Sequence, residues 1–443
     1  MIKKVNNITA YKQITYAQVG KKTNIFSVIF NNIYIYTFLF SVLTLGNIAR
    51  FIRFGGLLNN VLITEIILYL LSLCWILLHP RKFIYVYKMY AYISVIALLS
   101  FMIGLIRFGF DQVAFLYMIR FIMIFIVASS LAVAAYKKFK NRYDILFKKI
   151  LSFYTVGLII GYLIYIFFPR SNQLWSFLSA HGIVFHGDPH TNRFISTYFD
   201  PNFYSIIAII PLLLSLLLYK KTTHFIYLLF ALFFIISIFL TVSRSGTASL
   251  IILLTYLLTS KLLIIFKTRK IKKNTISSIL IIFIFILILY PLYSQKINTL
   301  LGRVANIKYD ESAYSRYLSF LFAVDIIKKY SFFGMGYNYL APYMLSRGMQ
   351  SSVDSSILAA ICNFGILFTL IIFFMVFIFL INLYKKIKSL NDTNLSFFVK
   401  ILYSYLIIVI FFASNLNNIL FYFFWILPVT FILFYLSLLS KNL

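Results

Sequence analysis

Two arginines, Arg193 in RFISTYFDPN and Arg244 in TVSRSG, sit among small and polar residues at the edges of apolar runs. A guanidinium beside a membrane boundary needs an anionic partner, and its planar fork of donors matches phosphate oxygens, so a lipid-linked phosphate is a fitting ligand. Arg303, Arg316 and Arg347 extend the set along the chain. Each of these taken singly reads as an arginine snorkelling from a helix end. Arg244 stands out, because Ser243, Ser245 and Gly246 allow close backbone approach and supply hydroxyl donors in a tight turn between two apolar runs.

Carboxylates accompany the arginines. Asp200 opens the DPN triplet, where it suits a helix N-cap with Pro201 at the first helical position, and equally suits catalysis. Asn202 closes that triplet with an amide able to bind substrate. Asp354 precedes a long apolar run and reads as a cap or as an acceptor for a hydroxyl proton. His181, His186 and His190 lie five and four apart in HGIVFHGDPH, without a cysteine, among Gly and Pro. That pattern fails the usual metal tests, so a zinc site is the weaker reading beside acceptor binding, for which His190 is a candidate, or plain loop structure. Arg120 in FLYMIRFIMIF and Glu65 fall inside apolar runs, where charges are costly and usually paired, so a contact between them is expected, as a functional pair or a structural lock. The chain has no Walker motif, no GxSxG, no HExxH and no GxGxxG opening a helix after a strand, which argues against soluble nucleotide chemistry.

These residues need a frame, and composition names its class. Of 443 residues 62% are hydrophobic and 12% charged, so most of the exterior must face lipid. The 50 Phe and 34 Tyr suit helix interfaces and the headgroup level. A net charge of +31 would suggest nucleic acid in a soluble protein, but here Lys and Arg cluster between apolar runs and no nucleic-acid-binding signature occurs. Cys74 and Cys362 both lie in apolar runs, which implies no disulfide framework. The basic start MIKKVNN is followed by no apolar segment until about Ile25, unlike a cleaved signal peptide, so the first span is expected to be retained.

Apolar runs of about 20 residues predict spans at 24–45, 57–78, 83–104, 113–135, 149–168, 201–219, 224–241, 246–266, 275–292, 354–381, 397–413 and 417–438. This is an all-α polytopic membrane protein of about twelve spans, read as a single domain over 1–443 without internal repeat. With both termini cytoplasmic, 27 basic residues fall inside or toward the inner ends of spans and 13 outside, seven of the latter in one long loop where the positive-inside rule is weak. Seven of the ten acids, namely Asp111, Asp188, Asp200, Asp310, Glu311, Asp325 and Asp354, map outside, as do the five arginines above. Chemistry on the outer face accounts for that bias. Two outer loops, 169–200 and 293–353, are long enough to hold structure. The second contains YLSFLFAVDIIKKYSFF, read as an interfacial helix capped by Asp310 or Ser312, ended by the glycines at 334–336, with Lys328 and Lys329 reaching to headgroups.

The order RFISTYFDPN, TVSRSG, a long outer loop with DESAYSRY and FFGMGYN, then VDSSILAAICNFGIL resembles the O-antigen polymerase and O-antigen ligase family of bacterial membrane glycosyltransferases. The likeness covers roughly residues 190–370, and the first five spans match in hydropathy only. It implies a fold of about ten to fourteen helices with a large extracytoplasmic loop, in the bacterial inner membrane, with the site facing the periplasm or cell exterior. It also implies transfer of glycan from an undecaprenyl diphosphate carrier to the non-reducing end of a lipid-linked repeat unit, without a cofactor or a metal. By the resemblance the functional arginines carry over to Arg193, Arg244 and Arg316; joined to the reading of the residues, this gives Arg244, Arg316, Asp354 and Asp200 catalysis, and Arg193, Arg303, Arg347, His190 and Asn202 substrate binding. Lipid-linked donor and acceptor, membrane lipids, a chain-length regulator and a flippase are the implied partners. Ligases of the family tend to carry a His-Asn pair eleven and ten residues before a membrane re-entry glycine; counting back from Gly365 gives Asp354 and Ser355, which favours the polymerase branch. The rival readings are ligase-type transfer to another acceptor and, in another class, a transporter or flippase, which would line a central cavity with charges deep in several spans.

Overall fold

The computed structural model describes residues 25–51, 62–87, 90–140, 142–181, 190–268, 311–347, 353–390 and 392–442, together with positions 183, 294, 298 and 302. Among the described residues the chain is helical, with no strand and one isolated bridge, Arg170 to Thr191. Helix α1, Ile25–Phe38, continues through a wide-turn stretch Leu39–Leu45 and a tight one Gly46–Phe51. There follow α2 (Ile63–Leu78), α3 (Pro80–Tyr87), α4 (Ala91–Phe108), α5 (Gln112–Phe139), α6 (Tyr143–Phe167) and α7 (Ser171–Ala180). The next group is α8 (Pro201–Ile207), α9 (Ile209–Thr222), α10 (Ile226–Leu240) and α11 (Arg244–Thr268). The last is α12 (Glu311–Lys329), α13 (Leu340–Leu345), α14 (Ser356–Lys388), α15 (Thr393–Ile408) and α16 (Phe423–Asn442).

Eight stretches among the described residues are long and apolar enough to cross a bilayer: Ile25–Ala49, Ala91–Phe108, Gln112–Phe139, Tyr143–Phe167, Pro201–Thr222, Ser356–Lys388, Thr393–Leu416 and Phe423–Ser440. The protein is therefore a polytopic helical membrane protein. Helices α2 and α10 are apolar but have only 16 and 15 residues, about 24 Å at 1.5 Å per residue against a hydrocarbon core of roughly 30 Å. Helix α11 covers the stretch expected at 246–266, and the span expected at 275–292 lies outside the described residues. The span expected at 83–104 instead begins at Ala91, because the apolar residues of PRKFIYVY belong to α3, a separate helix that opens on Pro80.

Helices α5 and α16 lie side by side at the centre. Small residues let α5 pack closely on its neighbours: Ala128, Ser129, Ser130, Ala132, Ala134 and Ala135 are all buried. The outside is apolar as well, with Leu77 and Ile106 each 80% exposed and Phe374 67%, as lipid contact requires and water would penalise. The expected intramembrane pair is present: Arg120 Nη2 lies 2.5 Å from Glu65 Oε1. Tyr69 Oη donates to Glu65 Oε2 at 3.2 Å, and the guanidinium stacks over Tyr117 and Phe423, joining α2, α5 and α16.

Loops predicted on the cytoplasmic side gather at one end, where Lys221 meets Asp144 at 3.3 Å and Tyr143 donates to Asp392 at 2.8 Å. The α8–α9 rod, bent at Ala208, runs from that end to Asn202 over 22 residues, roughly 30 Å away.

At the Asn202 end the chain folds back on itself. Helix α14 breaks at Gly365, whose φ of 76° and ψ of 170° are open essentially to glycine alone. The segment after α12 is laced to this break: Met335 N donates to Cys362 O at 2.7 Å, Gly336 N to Asn363 O at 3.1 Å, and Ile366 N to Ser331 O at 2.9 Å. Helix α4 closes the seam, with Arg107 donating to Gly334 O and Ser100 to Asn363 O. A small core beneath joins Ala323 and Ile326 of α12 to Val353, Ala359 and Cys362. The helix expected in the long loop exists as α12, with Tyr314, Tyr317, Leu318 and Leu321 exposed. It ends at Lys329, before the glycines at 334–336, and Ser312 lies inside it; Asp310 lies outside the described residues.

Candidate functional site

A cavity of about 430 Å³ opens between the start of α8, the start of α11, the first half of α12, the entry to α14 and the end of α15. Asn202 comes from α8; Arg244 and Ser245 from α11; Arg316, Tyr317, Ser319 and Phe320 from α12. Val353, Asp354, Ser355 and Leu358 line it at the head of α14, and Asn415 and Leu416 follow α15. Three helices therefore begin at its wall, their first turns capped by Asp200, Ser243 and Ser355, and two guanidinium groups enter it. Against these stands one carboxylate, Asp354, so the described lining favours an anion.

Local chemistry explains each position. The turn before Arg244 puts Val242 in the left-handed region at φ 51°, a conformation costing a β-branched residue of order 1–3 kcal/mol. Helix α11 can then start at Arg244 beside Asn202 because residue 246 is glycine, where a methyl would collide with Ser205 of α8. Ser243 Oγ lies 3.2 Å from Ser245 Oγ, and Ser245 accepts from Asn417 Nδ2. Ser355 caps α14 by accepting from Leu358 N at 3.3 Å. Ser356 Oγ donates to Asn417 O and accepts from Leu420 N, both at 3.1 Å, so the turn after α15 is fastened to two walls of the cavity.

Arg316 reaches across from α12, its Nε 3.4 Å from Asp354 Oδ2. The contact is an ion pair without hydrogen-bond alignment at Nε. Both side chains remain partly open, at 26% and 37% exposure, so a solute entering the cavity can compete for either.

Four of the residues singled out from sequence, Arg244, Arg316, Asp354 and Asn202, share this cavity. Four others, all described, do not line it. Arg193 stands behind Asn202, donating to its Oδ1 at 3.0 Å and to Thr241 O at 2.7 Å. Asp200 caps α8, accepting from Asn202 N at 2.7 Å and Phe203 N at 3.1 Å. His190 ties its loop to the start of α7, its N donating to Ser171 Oγ at 2.7 Å and its O accepting from Ser171 N at 2.8 Å. Arg347 is exposed and lies over the Tyr343 ring at 4.7 Å. Arg303 lies outside the described residues, as does His186, while His181 hydrogen-bonds Phe177 O at 2.8 Å from the end of α7.

Sequence reasoning passed over Ser319, Asn415, Tyr317 and Phe320, and met Ser355 only as the neighbour of Asp354. For Asn415 a signal exists: SNLNN is a polar run between two apolar ones. No family model matches the chain, and a search of curated proteins finds no match to it.

Proposed function

We propose that this chain is a membrane glycosyltransferase of the polysaccharide-polymerase type, working at the outer face of a bacterial cytoplasmic membrane. The donor is a growing glycan on undecaprenyl diphosphate, and the acceptor is the non-reducing end of a lipid-linked repeat unit. The observation that supports it is the meeting of Arg244, Arg316 and Asp354 in one cavity at the end of the bundle.

The chemistry follows from those groups. The bond between the anomeric carbon and the diphosphate oxygen breaks while a bond forms from the acceptor oxygen to that carbon. Charge builds on the departing diphosphate, and preorganised Arg244 and Arg316 stabilise it where it develops. The acceptor hydroxyl gives its proton to the Asp354 carboxylate. Arg316 holds Asp354 at 3.4 Å. A bound diphosphate takes over the guanidinium, so donor binding releases the carboxylate to act as base. Asn202, Ser245, Ser355 and Asn415 supply neutral donors and acceptors for sugar hydroxyls.

The test is reconstitution. Purified protein in detergent, given a lipid diphosphate-linked repeat unit, is expected to produce a ladder of chain lengths. Arg244→Ala is expected to lower the rate about 100- to 1,000-fold, as loss of one transition-state donor does elsewhere. A purified, folded protein that yields no ladder, or a full ladder from Arg244→Ala, overturns the proposal.

A further inference from the structure

We infer that Arg193 is a positioning residue: it clamps the left-handed turn that aims Arg244 and sets which end of the Asn202 amide faces the cavity. The inference rests on reading the cavity as the place of glycosyl transfer, and it assigns Arg193 a part other than binding substrate.

The first support is the turn. Arg193 Nε donates at 2.7 Å to the carbonyl of Thr241, the residue directly before Val242. Val242 is buried and sits at φ 51°, where its branched Cβ is strained, so its neighbours must hold it there. Phe194 N adds a bond to Leu240 O at 3.0 Å, and Ser243 N bonds Thr241 Oγ1 at 3.1 Å, so the turn is gripped from both sides. Two residues later comes Arg244.

The second support is the amide. A guanidinium only donates, so the Asn202 atom 3.0 Å from Arg193 Nη2 must be the oxygen. The NH₂ end of Asn202 is thereby kept as a donor on a residue that lines the cavity. One rigid fork reaches two acceptors on separate elements, α8 and the turn before α11, which a lysine ammonium does not reproduce.

The test pairs Arg193 with Val242. Arg193→Ala and Arg193→Lys are each expected to slow chain extension at least about tenfold at saturating donor. Val242→Gly removes the need to hold a β-branched residue in the left-handed region. Added to Arg193→Ala, it is expected to recover at least about threefold of the lost rate. A substrate-binding arginine predicts no recovery by Val242→Gly, and that result overturns the inference. If Arg193→Ala fails to accumulate, recovery of folded protein by Val242→Gly is the supporting result and its absence the opposing one. Hydrogen exchange of purified protein without substrate gives a readout free of the proposed reaction. The amides of residues 241–246 are expected to exchange at least about tenfold faster in Arg193→Ala, and unchanged exchange overturns the clamp. Faster exchange in a variant that still extends chains normally would leave the clamp standing and count against the cavity as the site of transfer.

Discussion

Arg316 and Asp354 face each other across the cavity at 3.4 Å, brought together because Ala323 and Ile326 of α12 pack on Ala359 and Cys362 of α14. With 26% and 37% of the side chains exposed, the pair contributes little to stability, within about 1 kcal/mol. On the proposed function, its part is to be exchanged for a ligand. Asp354→Asn keeps the shape but cannot take a proton at neutral pH. It is expected to lower chain extension at least about 100-fold while shifting stability by less than about 1 kcal/mol. Parallel assays of rate and thermal unfolding check this, and an active Asp354→Asn protein would remove the carboxylate from the proton transfer.

Asp200 separates capping from chemistry. Its carboxylate accepts two backbone N–H bonds at the head of α8, and asparagine serves as well there as aspartate. Asp200→Asn is expected to retain extension within about threefold, whereas Asp200→Ala loses about 1 kcal/mol of stability through the missing cap. Loss of activity in a stable Asp200→Asn protein would instead assign the residue to catalysis.

Hydropathy reveals most of the spans because a lipid-facing helix shows its apolar side chains outward, as Leu77 and Phe374 do. It misplaces the start of α4, since IYVY is apolar in composition yet belongs to the short helix α3. The arginines are visible as charges in an apolar chain, but their assembly is not. Arg244 approaches Asn202 because Gly246 admits Ser205, and Arg316 approaches Asp354 through a seam at Gly365. Both are tertiary facts carried by glycines whose surroundings do not appear in one dimension. Asp200 and Arg193 show the same limit from the other side: their types suit substrate chemistry, while their observed contacts are a cap and a clamp.

Glu65 is fully buried and Arg120 joins it at 2.5 Å, with Tyr69 as a second donor to the carboxylate. Removing one member leaves an uncompensated charge inside the bundle. Glu65→Gln and Arg120→Met are each expected to destabilise by about 3–5 kcal/mol. The double variant is expected to recover most of that loss, because no lone charge remains. Thermal unfolding in detergent measures it, and additive losses in the double variant would show that the two residues act separately.

Gly365 and Gly109 offer a controlled comparison. Both have positive φ, 76° and 81°, so an added Cβ strains either backbone by about 1–3 kcal/mol. Their surroundings differ. A methyl at Gly109 meets nothing within 4 Å, whereas one at Gly365 collides with Phe332 O and Gly334 N. To admit it, the seam must open, giving up bonds such as Ile366 N to Ser331 O and Met335 N to Cys362 O. At about 1 kcal/mol for each bond lost, Gly365→Ala is expected to cost at least about 2 kcal/mol more than Gly109→Ala. Because the seam seats α12 against the head of α14, the same change is expected to part Arg316 from Asp354. Spin labels placed on α12 and α14 would then report a broadened distance in Gly365→Ala and an unchanged one in Gly109→Ala. Equal losses of stability in the two variants would mean that the strain at residue 365 is local and the seam does not hold the cavity together.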